Sequence, residues 1–276
     1  MILPRQIAER LPGETPVLDA QVLLAHVMGR DRAWLLAHPE VSPTPAQQAA
    51  LETAIRGLQE GTPLPYVLGH WEFFGLDFEV TPDVLIPRPE TELLVETALD
   101  WIRAHPQSAD RFVDVGTGSG CIAVSLAVHV PRADITATDV SPAALALARR
   151  NAEKHGVDGR ISFLEADLFP TGLRPDTFDL ISANLPYIPT GTLKDLAIYN
   201  SEPTLALDGG ADGLDLVRRL LADLTDKMTA ECLILLEIES GQGRAARALA
   251  EEAFRAAKVG IKKDLAGHDR LVVIET

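Results

Sequence analysis

The 276-residue sequence predicts an α/β protein. Its expected core is a doubly wound, mostly parallel sheet of seven strands with an antiparallel edge hairpin, preceded by a small all-α segment. Three observations carry this. From residue 111 onward, short apolar runs alternate with helix-period segments, the pattern of strands covered by helices on both faces. The first run, Phe112-Val-Asp-Val115, leads directly into Gly116-Thr-Gly-Ser-Gly120 and a helical stretch beginning at Cys121. Residues before about 62 show only helical spacing, without strand alternation.

Leu18 to Met28 carries apolar residues at 18, 22, 23, 24, 27 and 28, one face of a helix. Trp34-Leu-Leu36 marks a short second piece. Thr44, Pro45 and Gln47 supply the N-cap, the first position and the return bond of a capping box. That helix runs to Glu60 and stops at Gly61. Residues 1–62 form the first domain, read as a substrate-recognition element or a structural appendage. Residues 63–90 change character. Aromatic and β-branched residues around Gly75 read as a hairpin, and Pro82, Pro87 and Pro89 stiffen its exit. They form a linker to the third segment, 91–276. Arg88-Pro-Glu-Thr-Glu92 opens a helix, with a proline near its start and acids in its first turn. Strands follow at 111–115, 134–138, 161–165, 178–183, 231–238, 259–264 and 270–275. The last two flank Gly267-His-Asp269 and should pair antiparallel at the sheet edge.

Composition narrows the function. Forty acidic residues face 25 lysines and arginines, for a net charge of −15, with no basic run. A protein that grips nucleic acid by its phosphates carries a basic footprint, so no direct nucleic-acid contact is expected. The acidity serves solubility, or a protein partner with a basic loop. No apolar run approaches the roughly 18 residues of a membrane span. Residues 1–20 contain Pro4, Arg5, Glu9, Arg10, Pro12 and Glu14, which is no secretory core. Cys121 and Cys232 read as small buried hydrophobes, not as a disulfide. A cytoplasmic monomer without a metal is expected.

Ligands of such sheets bind beyond the carboxyl ends of the strands. After the first strand come Gly116, Thr117, Gly118, Ser119 and Gly120, whose glycines admit close backbone approach. A dinucleotide loop has its third glycine at the sixth position. Here it comes one place early, and Cys121 stands in its stead. With Asp114 inside the strand end, the pattern is similar to motif I of S-adenosylmethionine (SAM) methyltransferases, so Asp114 and the loop are expected at the cofactor. Asp139, 25 residues beyond Asp114, is placed to accept two ribose hydroxyls. Asp167 could accept from an adenine amino group, with Leu168 as an apolar wall. Each has a local alternative: Asp114 as a cap for the glycine turn, Asp139 as a cap before Ser141-Pro142, Asp167 as a strand end. Together they point to one site.

After the fourth strand comes Asn184-Leu185-Pro186-Tyr187. Alone it could be an Asx-type turn before proline. In this position it resembles the Asn-Pro-Pro-Tyr motif of methyltransferases acting on planar sp² nitrogens. Such a nitrogen has a delocalised, weakly nucleophilic lone pair. The Asn184 side-chain oxygen can accept one N–H hydrogen, the Leu185 carbonyl the other, and Tyr187 can lie against the flat group. Catalysis is then mainly positioning and electrostatics.

Over nearly its full length the chain resembles the HemK/PrmC family, the protein-(glutamine-N5) methyltransferases of peptide-chain release factors. The resemblance rests on Pro65-Tyr-Val-Leu-Gly69, Phe73-Phe-Gly-Leu76, Val84-Leu-Ile-Pro-Arg-Pro-Glu-Thr-Glu92, the glycine loop and Asn184-Leu-Pro-Tyr187. It continues through Glu202-Pro-x-x-Ala-Leu207 and Gly209-Gly-x-Asp-Gly-Leu214. It implies a SAM-methyltransferase (Rossmann-like) fold and methyl transfer to the glutamine of the Gly-Gly-Gln loop in class I release factors, leaving S-adenosylhomocysteine. Gly116 to Gly120, Asp139, Leu168 and Asn184 would line the SAM site. Asn184 to Tyr187 would hold the amide, and the N-terminal domain would contact the release factor. Two positions depart from the family pattern. Leu185 replaces the usual first proline, and Leu168 stands where some relatives carry a large aromatic residue. The rival reading is an adenine-N6 methyltransferase acting on RNA, since Asn-Leu-Pro-Tyr also occurs in rRNA adenine dimethyltransferases. The missing basic footprint and the Ile-Pro-Arg-Pro-Glu block count against it. A SAM-binding regulator without turnover would predict loss of the asparagine that stands at 184.

Overall fold

The computed structural model describes residues 4–106, 110–170, 177–224 and 227–276. Residues 1–3 of the expected helical segment lie outside it. The chain divides into two compact units, Met1–His70 and Trp71–Thr276.

The first unit holds α1 (Pro4–Ala8), α2 (Pro16–Met28), α3 (Arg32–Ala37), α4 (Pro45–Gln59) and α5 (Leu64–Leu68). Local chemistry sets their ends. Asp31 accepts from the Trp34 N–H at 2.6 Å and caps α3. The capping box of α4 is complete, with Thr44 and Gln47 bonding each other's backbone. Ile7, Leu23, Leu51 and Ile55 are buried at the centre of this unit. The helix α5 differs from the expected linker. Two prolines in Thr62-Pro-Leu-Pro65 preset helical φ values, and Gly69, at φ +76°, ends the turn by donating to the Pro65 carbonyl. The helical unit therefore continues through His70 instead of ending at 62.

Strands β1 (His70–Phe73) and β2 (Leu76–Glu79) form the hairpin. Phe74 and Gly75 both take positive φ, +53° and +73°, as the tight turn between two twisted strands requires. Next come α6 (Glu92–Ala104), β3 (Arg111–Val115), α7 (Cys121–His129), β4 (Asp134–Asp139), α8 (Pro142–Lys154), β5 (Ile161–Glu165) and β6 (Phe178–Ala183). They are followed by α9 (Thr190–Leu193), α10 (Asp215–Asp223), β7 (Met228–Glu237), α11 (Gly243–Ala253), β8 (Lys258–Lys263) and β9 (Asp269–Glu275).

Seven strands among the described residues form one sheet, ordered β5-β4-β3-β6-β7-β9-β8. Only β9 runs antiparallel to its neighbours, β7 and β8. Alternate strand residues serve the two faces. Phe112, Ile135, Leu180 and Leu235 pack with α6, α7 and α8. Val113, Ile181, Ile234 and Leu236 pack with α10 and α11. Chain order reverses between β3 and β6, so their carboxyl ends open a crevice. Register places the ends side by side: Val115 lies opposite Thr138 and Ala183, and Ala183 opposite Leu236. The next residues are Gly116, Asp139, Asn184 and Glu237.

One buried amide joins three of these parts. Asn151 of α8 accepts from the Glu79 N–H at 2.7 Å and donates to the carbonyls of Glu79 and Ser119 at 3.0 and 2.8 Å. It thereby ties the hairpin and the glycine loop to one helix. Asn151→Leu leaves three backbone groups unpaired, one buried and two part-buried, at about 1 kcal/mol each. We expect urea unfolding to show a loss of about 3 kcal/mol; a loss below about 1 kcal/mol would mean the clamp contributes little.

Candidate active site

The glycine loop leaves β3 at Gly116, where φ is +73°. The N–H groups of Gly116 and Thr117 both donate to the Thr138 carbonyl, at 2.9 and 2.8 Å, stitching the loop to β4. A Cβ at Gly116 would lie 3.0 Å from the Leu185 Cδ2. The glycine turn and the loop after β6 thus fill one another's space.

Asp114 sits beneath this turn, bonded to both the glycine loop and β6. It is 1% exposed. One oxygen accepts from Thr117 Oγ1 at 2.7 Å and the other from Ser182 Oγ at 2.9 Å. Burial outweighs these two bonds and pushes its pKa up to about 6. A Cβ at Gly120 would meet the Ala148 Cβ at 3.0 Å, so this glycine packs closely against α8.

Asp139 ends β4 on the cavity wall. Its two oxygens take the N–H groups of Gly118 and Ser141, each at 2.9 Å, which fixes the carboxylate. A further lone pair on each oxygen remains for a ligand. Leu168 has φ +71°, a strained value for a branched residue. Its carbonyl is held by Thr138 Oγ1 at 2.7 Å, and its side chain lines the cavity. The Asp167 carboxylate is paired with Arg219 at 2.7 Å, which qualifies its expected role as an adenine acceptor.

Asn184 follows β6 and is half-buried. Its Nδ2 donates to Thr91 Oγ1 at 3.1 Å. That bond commits the amino end inward and leaves Oδ1 as the acceptor. The backbone behind it is braced from three directions. Gln242 Nε2 donates to the Tyr187 carbonyl at 2.9 Å. The Gly209 N–H donates to the Ile188 carbonyl at 2.8 Å. A Cβ at Gly213 would lie 2.1 Å from the Tyr187 carbonyl oxygen. The opposing wall is tied as well: Glu202 accepts from Arg88 at 2.5 Å and from the Ile86 N–H at 3.0 Å.

Gly116 to Ser119, Asp139, Asp167, Leu168 and Asn184 to Pro186 line one cavity of about 700 Å³. Its size suits a nucleoside-sized ligand. Tyr187 is not on this wall. Burial, and then the Glu237 carboxylate, push its phenol up to about 12. Sequence reasoning missed Thr91, Arg219 and Gln242. Thr91 and Arg88 lay in a motif quoted for family resemblance, but spacing alone gave them no task. No described helix is long and apolar enough to cross a membrane. No group of three or more His, Cys, Asp or Glu that could hold a metal ion occurs among the described residues.

Solved structures share this fold. The N-terminal domain of human METTL16 in complex with SAH aligns at TM-score 0.52 and 20% identity, over 74% of this chain and 76% of that one. A methyltransferase from Pyrococcus furiosus aligns at TM-score 0.52 and 17% identity, over 84% and 98%. With the family match and the relatives that follow, the chain is a SAM-dependent methyltransferase. The family described as PrmC N-terminal domain matches residues 5–69, and a methyltransferase domain family matches residues 112–197. The release factor glutamine methyltransferase of Moorella thermoacetica is 45% identical over 93% of this chain and 90% of its own length. That of Bordetella pertussis is 42% identical over 93% of each, and that of Bacillus anthracis 34% identical over 92% and 91%. The chain belongs to the release factor glutamine methyltransferase family.

Gly213→Ala drives a methyl group into the Tyr187 carbonyl. We expect kcat to fall by about tenfold or more while calorimetric SAM affinity holds, because the glycine loop is untouched. An unchanged kcat would remove the brace from the site. Asp114 is favoured in its neutral form by folding. Its contribution to stability is full below pH 3.8 and is lost as pH rises through about 6. Asp114→Asn should flatten the stability profile between pH 4 and 7; parallel profiles for the two proteins would refute the assignment.

Proposed function

We propose that this enzyme methylates the side-chain N5 of the glutamine in the Gly-Gly-Gln motif of class I peptide-chain release factors, with SAM as donor and S-adenosylhomocysteine as product. The carrying observation is Asn184, anchored by Thr91 at the switch point of the sheet, one strand from the glycine loop. The relatives named above support the substrate class.

The residues present fit the cofactor. Gly116 to Ser119 offer a backbone cradle, Asp139 offers free lone pairs for the ribose diol, and Leu168 offers an apolar wall for adenine. Bound SAM supplies an electrophilic methyl group on sulfonium. Everything else is asked of the chain. Asn184 Oδ1 accepts one amide hydrogen and the Leu185 carbonyl the other, so the nitrogen lone pair is held outward. Pro186 keeps Leu185 extended despite the missing first proline. Positioning of this kind, without a covalent enzyme intermediate, accounts for the rate.

In this reading Tyr187 lies against the flat face of the amide. Asp114 and Gly120 shape the cofactor loop without touching the ligand, and Asp167 lies at the adenine end as an ion-paired rim residue. The helical unit, Met1–His70, recognises the release factor, and Trp71–Thr276 carries the chemistry. The reading takes the enzyme as a cytoplasmic monomer that uses no metal and makes no direct nucleic-acid contact. An RNA adenine amine would fit the same acceptors, but the net charge of −15 opposes it.

Incubation with methyl-labelled SAM and either an intact release factor or rRNA separates the two. Label should enter the release factor only, and Asn184→Ala should abolish it while SAM binding persists in calorimetry. Label in rRNA alone would overturn the reading, and full turnover by Asn184→Ala would remove the tetrad from the mechanism.

A further inference from the structure

Glu237 ends β7, beside the strand that Asn184 follows. Leu236 is paired with Ala183, so Glu237 and Asn184 are the next residues of adjacent parallel strands. Glu237 is 2% exposed, and neither carboxyl oxygen makes a well-formed hydrogen bond among the described residues, although the Thr91 hydroxyl lies close enough to act on it. A buried carboxyl group without a well-formed bond is costly and calls for a role.

Its surroundings suggest one. From the segment leading into α6 it is faced by Arg88, Glu90 and Thr91; from β9, by Arg270. Cys121 of α7 and Tyr187 lie within its field. The arginines are committed elsewhere, Arg88 to Glu202 at 2.5 Å and Arg270 to Asp264 at 3.2 Å. The thiol and the phenol are each pushed up to about 12 by burial, so neither titrates near neutrality. Thr91 is the hydroxyl that favours the charged form of Glu237, and it already holds Asn184.

We propose that Glu237 is a positioning residue that sets the hydrogen-bond polarity of Asn184 through Thr91. The inference rests on the amide-methylating reading of this site. With Glu237 ionised, Thr91 turns its hydroxyl hydrogen toward the carboxylate. Its oxygen can then only accept, so it takes Asn184 Nδ2, and Asn184 Oδ1 faces the substrate N–H. With Glu237 protonated, the carboxyl O–H donates to Thr91 and the Thr91 hydrogen is released toward Asn184. The amide then turns over and meets the substrate NH₂ donor to donor. Burial raises the Glu237 pKa to about 7, so the ionised, productive form is lost as pH falls through that value.

The test uses the full-length protein and an intact release factor. In the wild type, kcat should fall about tenfold per pH unit below about pH 7, and the Asn184 side-chain amide resonances of ¹⁵N-labelled protein should titrate at the same midpoint. Glu237→Gln keeps an acceptor at every pH. It should rescue turnover at low pH, abolish the acid limb and leave the Asn184 resonances flat. Glu237→Leu should lower kcat by about 10- to 100-fold with KM for SAM unchanged. An acid limb that survives Glu237→Gln, a wild-type kcat in Glu237→Leu, or Asn184 resonances indifferent to pH would each overturn the relay. A wild type that methylates no release factor would instead reject the substrate assignment, and the resonance titration would still decide the relay.

Discussion

One buried carboxylate joins the two halves of the site. Asp114 receives Thr117 from the glycine turn on one oxygen and Ser182 from β6 on the other. The turn that cradles a cofactor and the strand that delivers Asn184 are therefore locked in a single register. The lock has a consequence at the next residue pair. Gly116 and Asn184 emerge level, and Leu185 packs into the space that a side chain at 116 would occupy. Slippage of either strand by one residue would point its polar end residue to the opposite face. A carboxylate buried for this purpose carries a desolvation penalty, visible in its raised pKa of about 6.

The loop after β6 is then held from outside the sheet. Gln242 and Gly213 press on the Tyr187 carbonyl, and Gly209 pairs with Ile188. Leu185 is 5% exposed and packs with Val115, Ala183 and Leu214 in the core beneath α10. The rigidity that a proline would give at 185 is replaced by burial and by these braces. The restraint on this loop lies in the contacts around the backbone and not in one ring.

Much of this was legible in the sequence, for identifiable reasons. Strands covered on both faces read as continuous apolar runs, and the alternation of strands and helices set the sheet type. Capping chemistry located α4 because Thr44, Pro45 and Gln47 act locally. Direction was harder to read. Whether Asp114 points into the cavity or under the turn depends on the twist of the loop, which spacing does not encode. Gly120 reads as a ligand glycine, and the structure adds a second need, a helix contact with Ala148 that spacing does not reveal. The prolines at 63 and 65 suggested a linker, though the same residues start a helical turn. Glu237 was hidden in Leu-Leu-Glu-Ile-Glu, because a doubly covered strand lacks the alternation that would reveal which acid turns inward.

The two halves of the site also differ in how their residues are held. The cofactor half is assembled from near neighbours in the sheet: Asp139 to Gly118, Thr138 to Leu168, Gly116 to Thr138. The substrate half depends on distant segments, with Asn184 bonded to Thr91, Tyr187 to Gln242, and Arg88 to Glu202. The methyltransferase domain family matches residues 112–197, a span that includes the glycine loop, Asp139, Leu168 and Asn184 but none of those distant partners. Cofactor binding can thus be carried by a portable stretch of chain. Presenting the correct end of an asparagine to an amide nitrogen requires the segments on either side of it. In the proposed reading, the Pro-Arg-Pro-Glu-Thr-Glu and Gly-Gly-x-Asp-Gly motifs, remote from the glycine loop in sequence, therefore belong to the chemistry of the accepting nitrogen.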